Sequence, residues 1–303
     1  MGTAGISVLQ LALSLVLAPL VPGIANRVKA VVAGRRGQPL LQAYHDIAKL
    51  LLKGSVYSRT TTWVFRAGPA LGCAAAMVAL AVLPWGADAS LLSFEGDLIL
   101  FAGLFGLMRF LTILSALDTG SAFEGMGASR EAWFSALAEP ALLLALASLA
   151  GKAQSLSLAA VLAGPGIGGG RGAAVLLAAG AVFIVFLSEN ARIPVDDPAT
   201  HLELTMIHEV MVLDHSGVDL AYIQYGSTLK LWALGGLIVG ILRPRTGQWM
   251  ADCAIGLGGM LCVGIATGAL ESFIARLRLA RVPQLLVAGG AMAALALALS
   301  LVR

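Results

Sequence analysis

The chain has 303 residues, of which 58% are hydrophobic and 12% charged, and a formal net charge of +3. Soluble domains carry roughly 25% charged residues, so this composition and a mean hydropathy of +0.88 describe an integral membrane protein. A water-soluble enzyme, a disordered chain and a nucleic-acid binder are excluded.

A helix needs about 20 apolar residues to cross a bilayer. Eight runs qualify: Ile6–Ile24, Ala67–Trp85, Leu98–Leu117, Ala132–Ala150, Ala173–Ser188, Leu220–Leu242, Met250–Leu270 and Val282–Val302. The fold class is therefore all-α: one polytopic membrane domain over residues 1–303, with about eight spans. The first run lacks a basic leader, and Pro19 and Pro22 stand where a cleavage site would need small residues, so it is expected to be a span. The first connection, 25–66, carries eight Lys and Arg residues, and the odd-numbered connections together carry thirteen against five on the other side. The positive-inside tendency then places the odd-numbered connections in the cytoplasm and both termini outside. Within 25–66, Leu40, Leu41, Tyr44, Ile47, Ala48, Leu51 and Leu52 recur at three and four, which predicts an amphipathic helix lying along the cytoplasmic interface.

Charges inside the spans need a reason, since each costs roughly 2.5–3.5 kcal/mol near the bilayer centre on insertion scales. Arg109, Glu139 and Lys230 sit on three different spans, about 12, 10 and 15 Å from their cytoplasmic ends at 1.5 Å per residue. They share one layer, with Glu189 at the inner mouth of the fifth span. An ion relay of Glu139, Arg109, Lys230 and Glu189 is the functional reading; an Arg109–Glu139 brace with a snorkelling Lys230 is the plain one. Two cations for one acid in this layer suggest a further carboxylate from a partner subunit. Asp252 reads as a solvated helix start, and Glu271 is placed to meet Arg276 or Arg278.

The Gly-rich stretch 164–172 has no strand before it and reads as an outer turn, not a phosphate loop. The fifth connection, 190–219, is polar and acidic. Pro194 and Pro198 force an extended segment, and Asp197 or Thr200 can cap a helix from near His201. Leu204, Ile207 and Met211 would form its apolar stripe, with Glu203, Glu209 and Asp214 on a negative side. A solvated amphipathic helix is the plain reading; an acidic docking surface or proton-gathering entrance is the functional one. His201, His208 and His215 would lie about 10.5 Å apart along such a helix, too far to share a metal. The cysteines Cys73, Cys253 and Cys262 are scattered through apolar runs without a Cys-x-x-Cys pair, so no disulfide, zinc or iron–sulfur site is expected.

The stretches GRRGQPLLQAYHDIAKLLLKGSV, LDTGSAFEGMGASREAWFSALAEPALL, ARIPVDDPATHLELTMIHEVMVLDHSG and ESFIARLRLARVP resemble the formate-hydrogenlyase subunit 4 type. This is the membrane subunit of group 4 energy-converting nickel–iron hydrogenases, homologous to a membrane-arm component of respiratory complex I. The resemblance runs from about Arg27 to Pro283. It implies a non-catalytic subunit of an oxidoreductase complex, seated where a peripheral electron-transfer arm meets the membrane. The implied partners are hydrogenase-like large and small subunits, antiporter-like membrane subunits and the lipid bilayer, with no nucleic acid. Iron–sulfur clusters and a nickel–iron centre would belong to those partners, none to this chain. By motif, Glu139 corresponds to the acid of the fourth helix. Glu189, Arg192, Asp196 and Glu203 correspond to an acidic funnel loop, and Asp214 stands where the family usually has Glu. Acids of the complex I loop pattern are missing between Pro198 and Glu203, and Glu124 falls where Gly is expected. These departures favour a coupling and docking role in a hydrogenase-like complex, translocating protons or sodium. The alternatives are a quinone-chamber subunit, a self-sufficient transporter and an inert anchor.

Overall fold

A computed structural model describes residues 3–85, 90–164, 172–196, 206–275 and 277–301. The described residues contain helices and no strand. In chain order the helices are α1 (Thr3–Leu17), α2 (Leu20–Val32), α3 (Gln42–Leu51), α4 (Trp63–Val82), α5 (Asp97–Asp118) and α6 (Ala122–Ala153). They continue as α7 (Leu158–Leu162), α8 (Gly172–Glu189), α9 (Gly217–Leu242), α10 (Trp249–Phe273) and α11 (Val282–Leu301). Seven helices are long and apolar enough to span a membrane, and eight spans result when the bent pair α1–α2 counts as one. With no water inside a bilayer, backbone groups must bond within each segment, which is why every apolar run is helical.

Three boundaries differ from the sequence expectation, each for a local reason. The first span is two helices meeting at 45°, because Pro19 cannot donate the amide that would continue the ladder. The second half, α2, runs on to Val32 and so carries Arg27 and Lys29 on a helix instead of in a connection. The fourth span begins at Ala122, ten residues before the apolar run at Ala132. Its added turns hold Glu124, Arg130 and Glu131, too polar to register as span. The third difference lies in 190–219, where Glu209–Val212 form one 3-10 turn and not a long amphipathic helix. Met206, Val210 and Met211 bury against Ala116 of α5 and Ala128 of α6, so this segment is fastened to the bundle. The expected start near His201 and the Gly-rich turn at 165–171 lie outside the described residues.

Helix α9 is the most enclosed span, with 78% of its apolar window buried, whereas α11 has 22% and faces outward along most of its length. α4 packs on α5 and α9, α10 on α2, and α11 on α6 and α8. The connections before α4 and before α9 meet at one end. Ser55 Oγ donates to the carbonyl of Ser216. At Gly217 a side chain would fall 2.4 Å from the Gly54 carbonyl oxygen, and its φ of +54 also favours glycine. Thr62 and Asp118 join the third connection to the same end, as do Lys29, Arg192 and Glu271 from α2, the fifth connection and α10. We call this the basic end. As the amphipathic pattern requires, α3 lies on its surface with no buried residue.

Candidate functional site

Four side chains from four helices form a continuous chain of ion pairs. Arg109 of α5 is at its centre, with a side chain 5% exposed. One guanidinium nitrogen lies 2.7 Å from Glu139 Oε1 on α6 and the other 3.0 Å from Glu189 Oε1 at the end of α8. The second oxygen of Glu189 lies 3.5 Å from Lys230 Nζ on α9. Each is one of the residues singled out from sequence, and Lys230 turns to Glu189 instead of snorkelling away. Glu189 also corrects the charge tally. It supplies the second acid, so the four charges cancel within this chain and no partner carboxylate is needed to balance them. Neutral pairing of this kind offsets part of the large cost of taking each ion out of water. Glu139 differs from the rest: its side chain is 48% exposed on the bundle surface. Gly106 of α5 makes room beside it, since a Cβ there would stand 3.0 Å from Glu139 Oε1.

Toward the basic end lies a second cluster. His208 Nε2 is 3.3 Å from Glu131 Oε2 of α6, and His208 Nδ1 is 3.4 Å from Asp196 Oδ2. Asp196 is 2% exposed, and its Oδ2 also accepts the backbone N–H groups of Ile207 and His208. Arg130 donates to the carbonyl of Met206 at 2.8 Å, fixing the start of the same segment. Glu124, buried in the first turn of α6, accepts the backbone N–H of Asp214. Burial works against a charge on His208, but the facing carboxylates of Glu131 and Asp196 prevail and its pKa is raised. The charge of His208 is also felt by Lys230 and Glu189, which links the two clusters electrostatically. His215 behaves oppositely. It stacks on Phe65 at 3.9 Å, and burial lowers its pKa to about 4.

The remaining predicted loop residues separate. Arg192 lies 3.3 Å from Glu271 Oε1, and Lys29 lies 2.7 Å from the other oxygen. These, and not Arg278, are the partners of Glu271 that the described residues show; Arg276 lies outside them. Glu209 and Asp214 are exposed at the basic end. Asp197 and Glu203 lie outside the described residues. Asp252 is 2% exposed and accepts from the hydroxyl and backbone of Thr246, so it is a buried structural group and not a solvated helix start. Among the described residues no group of three or more His, Cys, Asp or Glu is arranged to hold a metal. Sequence reasoning passed over Glu131, which falls just outside the apolar run, noted Glu124 only as a departure from the family pattern, and treated His208 only as one of three spaced histidines.

A family profile described as NADH dehydrogenase matches residues 5–302. The chain is 33% identical over 294 residues to formate hydrogenlyase subunit 4 of Escherichia coli K12, covering 92% of this chain and 93% of that one. It is 31% identical to hydrogenase-4 component C of the same organism, covering 95% and 92%. An NADH-quinone oxidoreductase subunit of Syntrophotalea carbinolica is 27% identical over 213 residues, covering 66% and 62%. Among solved structures, a chain of the membrane-bound sulfane sulfur reductase, an archaeal respiratory membrane complex, superposes with a TM-score of 0.83. That match covers 97% and 98% of the two chains at 21% identity, so it speaks for the fold. A profile spanning nearly the whole chain, together with two near-full-length relatives above 30% identity, shows that this multi-pass membrane protein belongs to the NADH dehydrogenase family and is of the formate hydrogenlyase subunit 4 type.

Proposed function

We propose that this chain is the coupling and docking subunit of a complex I-like, membrane-bound hydrogenase complex. It receives a peripheral redox module at its basic end and passes the energy of electron transfer to ion translocation. The observation that carries this reading is the chain Glu139–Arg109–Glu189–Lys230, which runs from the bundle surface to the base of the 190–219 segment. Ion pairs at about 3 Å are redistributed when one neighbouring charge moves, because each carboxylate is held by cations it shares. Half-exposed Glu139 is the place where a neighbouring, antiporter-like membrane subunit would take over. The peripheral hydrogenase-like large and small subunits would dock on the basic end and carry the iron–sulfur clusters and any nickel–iron centre. In this reading the basic end is cytoplasmic, both termini lie outside, and the membrane is a bacterial or archaeal inner membrane.

Glu139→Gln tests the reading in the reconstituted complex, since it keeps the shape and removes the charge. The complex should assemble, and its peripheral module should react with a soluble dye at a near-normal rate. Translocation per electron should fall at least tenfold. Unchanged translocation would make Glu139 a brace only and sink the coupling role.

A further inference from the structure

The ion handed over at this site follows from how acids and bases alternate. Each described carboxylate of the two clusters has a cation or an N–H donor beside it. Arg109 separates Glu139 from Glu189, Lys230 takes the far oxygen of Glu189, and His208 stands between Glu131 and Asp196. A hard metal cation needs several converging oxygens. Here the oxygens converge on nitrogen, and Asp196 Oδ2 is further taken up by two backbone amides. The His208 geometry adds a second constraint. Both ring nitrogens lie beside a carboxylate oxygen, at 3.3 and 3.4 Å; Nδ1 is hydrogen-bonded to Asp196, whereas Nε2 is near Glu131 without hydrogen-bond alignment. With both acids ionised, a neutral imidazole leaves two negative charges beside a ring that carries no charge to answer them. The arrangement is satisfied when it holds one more proton, as an imidazolium or a carboxylic acid.

We infer that His208, held between Asp196 and Glu131, is a proton-loading site, and that the ion this chain passes inward is a proton and not sodium. This rests on the coupling role proposed above. In the transfer, the O–H bond of protonated Asp196 breaks as the N–H bond at Nδ1 forms, giving carboxylate and imidazolium. Once the ring turns Nε2 onto Glu131, the N–H bond at Nε2 breaks as the O–H bond on Glu131 forms, leaving neutral imidazole. One proton enters, one leaves, and no electron moves. The charged groups facing the ring are Glu131 from α6, Asp196 from the segment after α8, Lys230 from α9 and Glu189 from α8. Arg130 fixes the neighbouring backbone at Met206 and so keeps the ring in register with Glu131.

The test uses the whole complex in liposomes, driven by a reduced viologen, in sodium-free choline medium. Proton uptake per electron should proceed without sodium, and sodium-22 uptake should not exceed that of empty vesicles. Uptake should decline on the alkaline side as His208 loses its proton. His208→Gln should lower uptake at least tenfold and erase that alkaline limb, with dye reaction unchanged. Should His208→Gln fail to assemble, Glu131→Gln serves instead. It keeps the ring beside Asp196 but removes the carboxylate that accepts its proton, so uptake should fall at least tenfold with the dye reaction unchanged. Sodium-dependent transport, or a wild-type uptake and pH profile in His208→Gln or, where that variant does not assemble, in Glu131→Gln, would overturn the inference. If Glu139→Gln still abolishes uptake, only the loading site fails; if neither variant affects it, the coupling role fails too.

Discussion

The two ends of the bundle use the same acidic side chains in different ways. At the end opposite the basic one, Glu95 accepts from the backbone of Leu156 and the hydroxyl of Ser155, and Asp97 accepts from the backbone of Leu158 and from Ser157. Asp252 closes a turn with Thr246. Those acids meet short-range donors that cannot change charge, so they fasten loops to helix ends. Toward the basic end, Glu139, Glu189, Glu131, Asp196 and Glu271 meet Arg, Lys and His from other helices or from the 190–219 connection. Such partners add charge as well as hydrogen bonds, and one of them, histidine, titrates near neutral pH. Buried acids therefore do not mark function by themselves; the chemistry of what they face does.

The sharpest way to break this contrast is Arg109→Ala. It strands Glu139 and Glu189 without their shared cation, and breaking a buried pair costs roughly 3–5 kcal/mol. We expect a large fall in thermal stability in detergent and loss of translocation; a near-native melting profile would show that the pairs do not hold the helices. A smaller effect, confined to assembly, is expected from Glu209→Lys with Asp214→Lys. Both residues are exposed at the basic end, where surface changes alter stability by about 0.5 kcal/mol or less. The isolated chain should stay folded while peripheral subunits are released from membranes, measured as stoichiometry after a salt-free wash. Full retention would remove this surface as the dock. The least effect on function is expected at the opposite end. Asp97→Ala leaves the amide of Leu158 unpaired, at about 1–3 kcal/mol. Stability should drop while translocation per electron stays unchanged, and a loss of coupling there would erase the distinction between the ends.

How much could be read from sequence followed the same division. Arg109, Glu139 and Lys230 stand out because each interrupts an apolar run; their similar depths fit the Arg109–Glu139 pair, whereas Lys230 reaches Glu189. Glu189 was visible at the rim of its span, but its share in balancing the layer was not, since depth along a helix says nothing about which face a side chain takes. Glu131 and Glu124 were hidden because hydropathy ends where polar residues begin, whereas α6 continues through them to Ala122. His208 was hidden by an assumed continuous helix. The 3-10 turn at Glu209–Val212 breaks the seven-residue spacing, so His208 turns to Glu131 while His215 stacks on Phe65. Asp252 was misread because a charge at a span end is usually solvated, and only the fold brings Thr246 over it.

Pro19 leaves the carbonyl of Leu15 without its helical amide. Tyr225 of α9 supplies a hydroxyl in its place at 3.0 Å, and Tyr44 of α3 does the same for Val16. The first span is thus spliced to two neighbours, and its kink is held from outside instead of by its own ladder. Straightening it would strand the Leu15 carbonyl, which Pro19 cannot serve, at roughly 1–3 kcal/mol. Tyr225 and Lys230 ride on one helix, so a force that straightens the first span pulls on the helix that holds the Lys230 ammonium against Glu189.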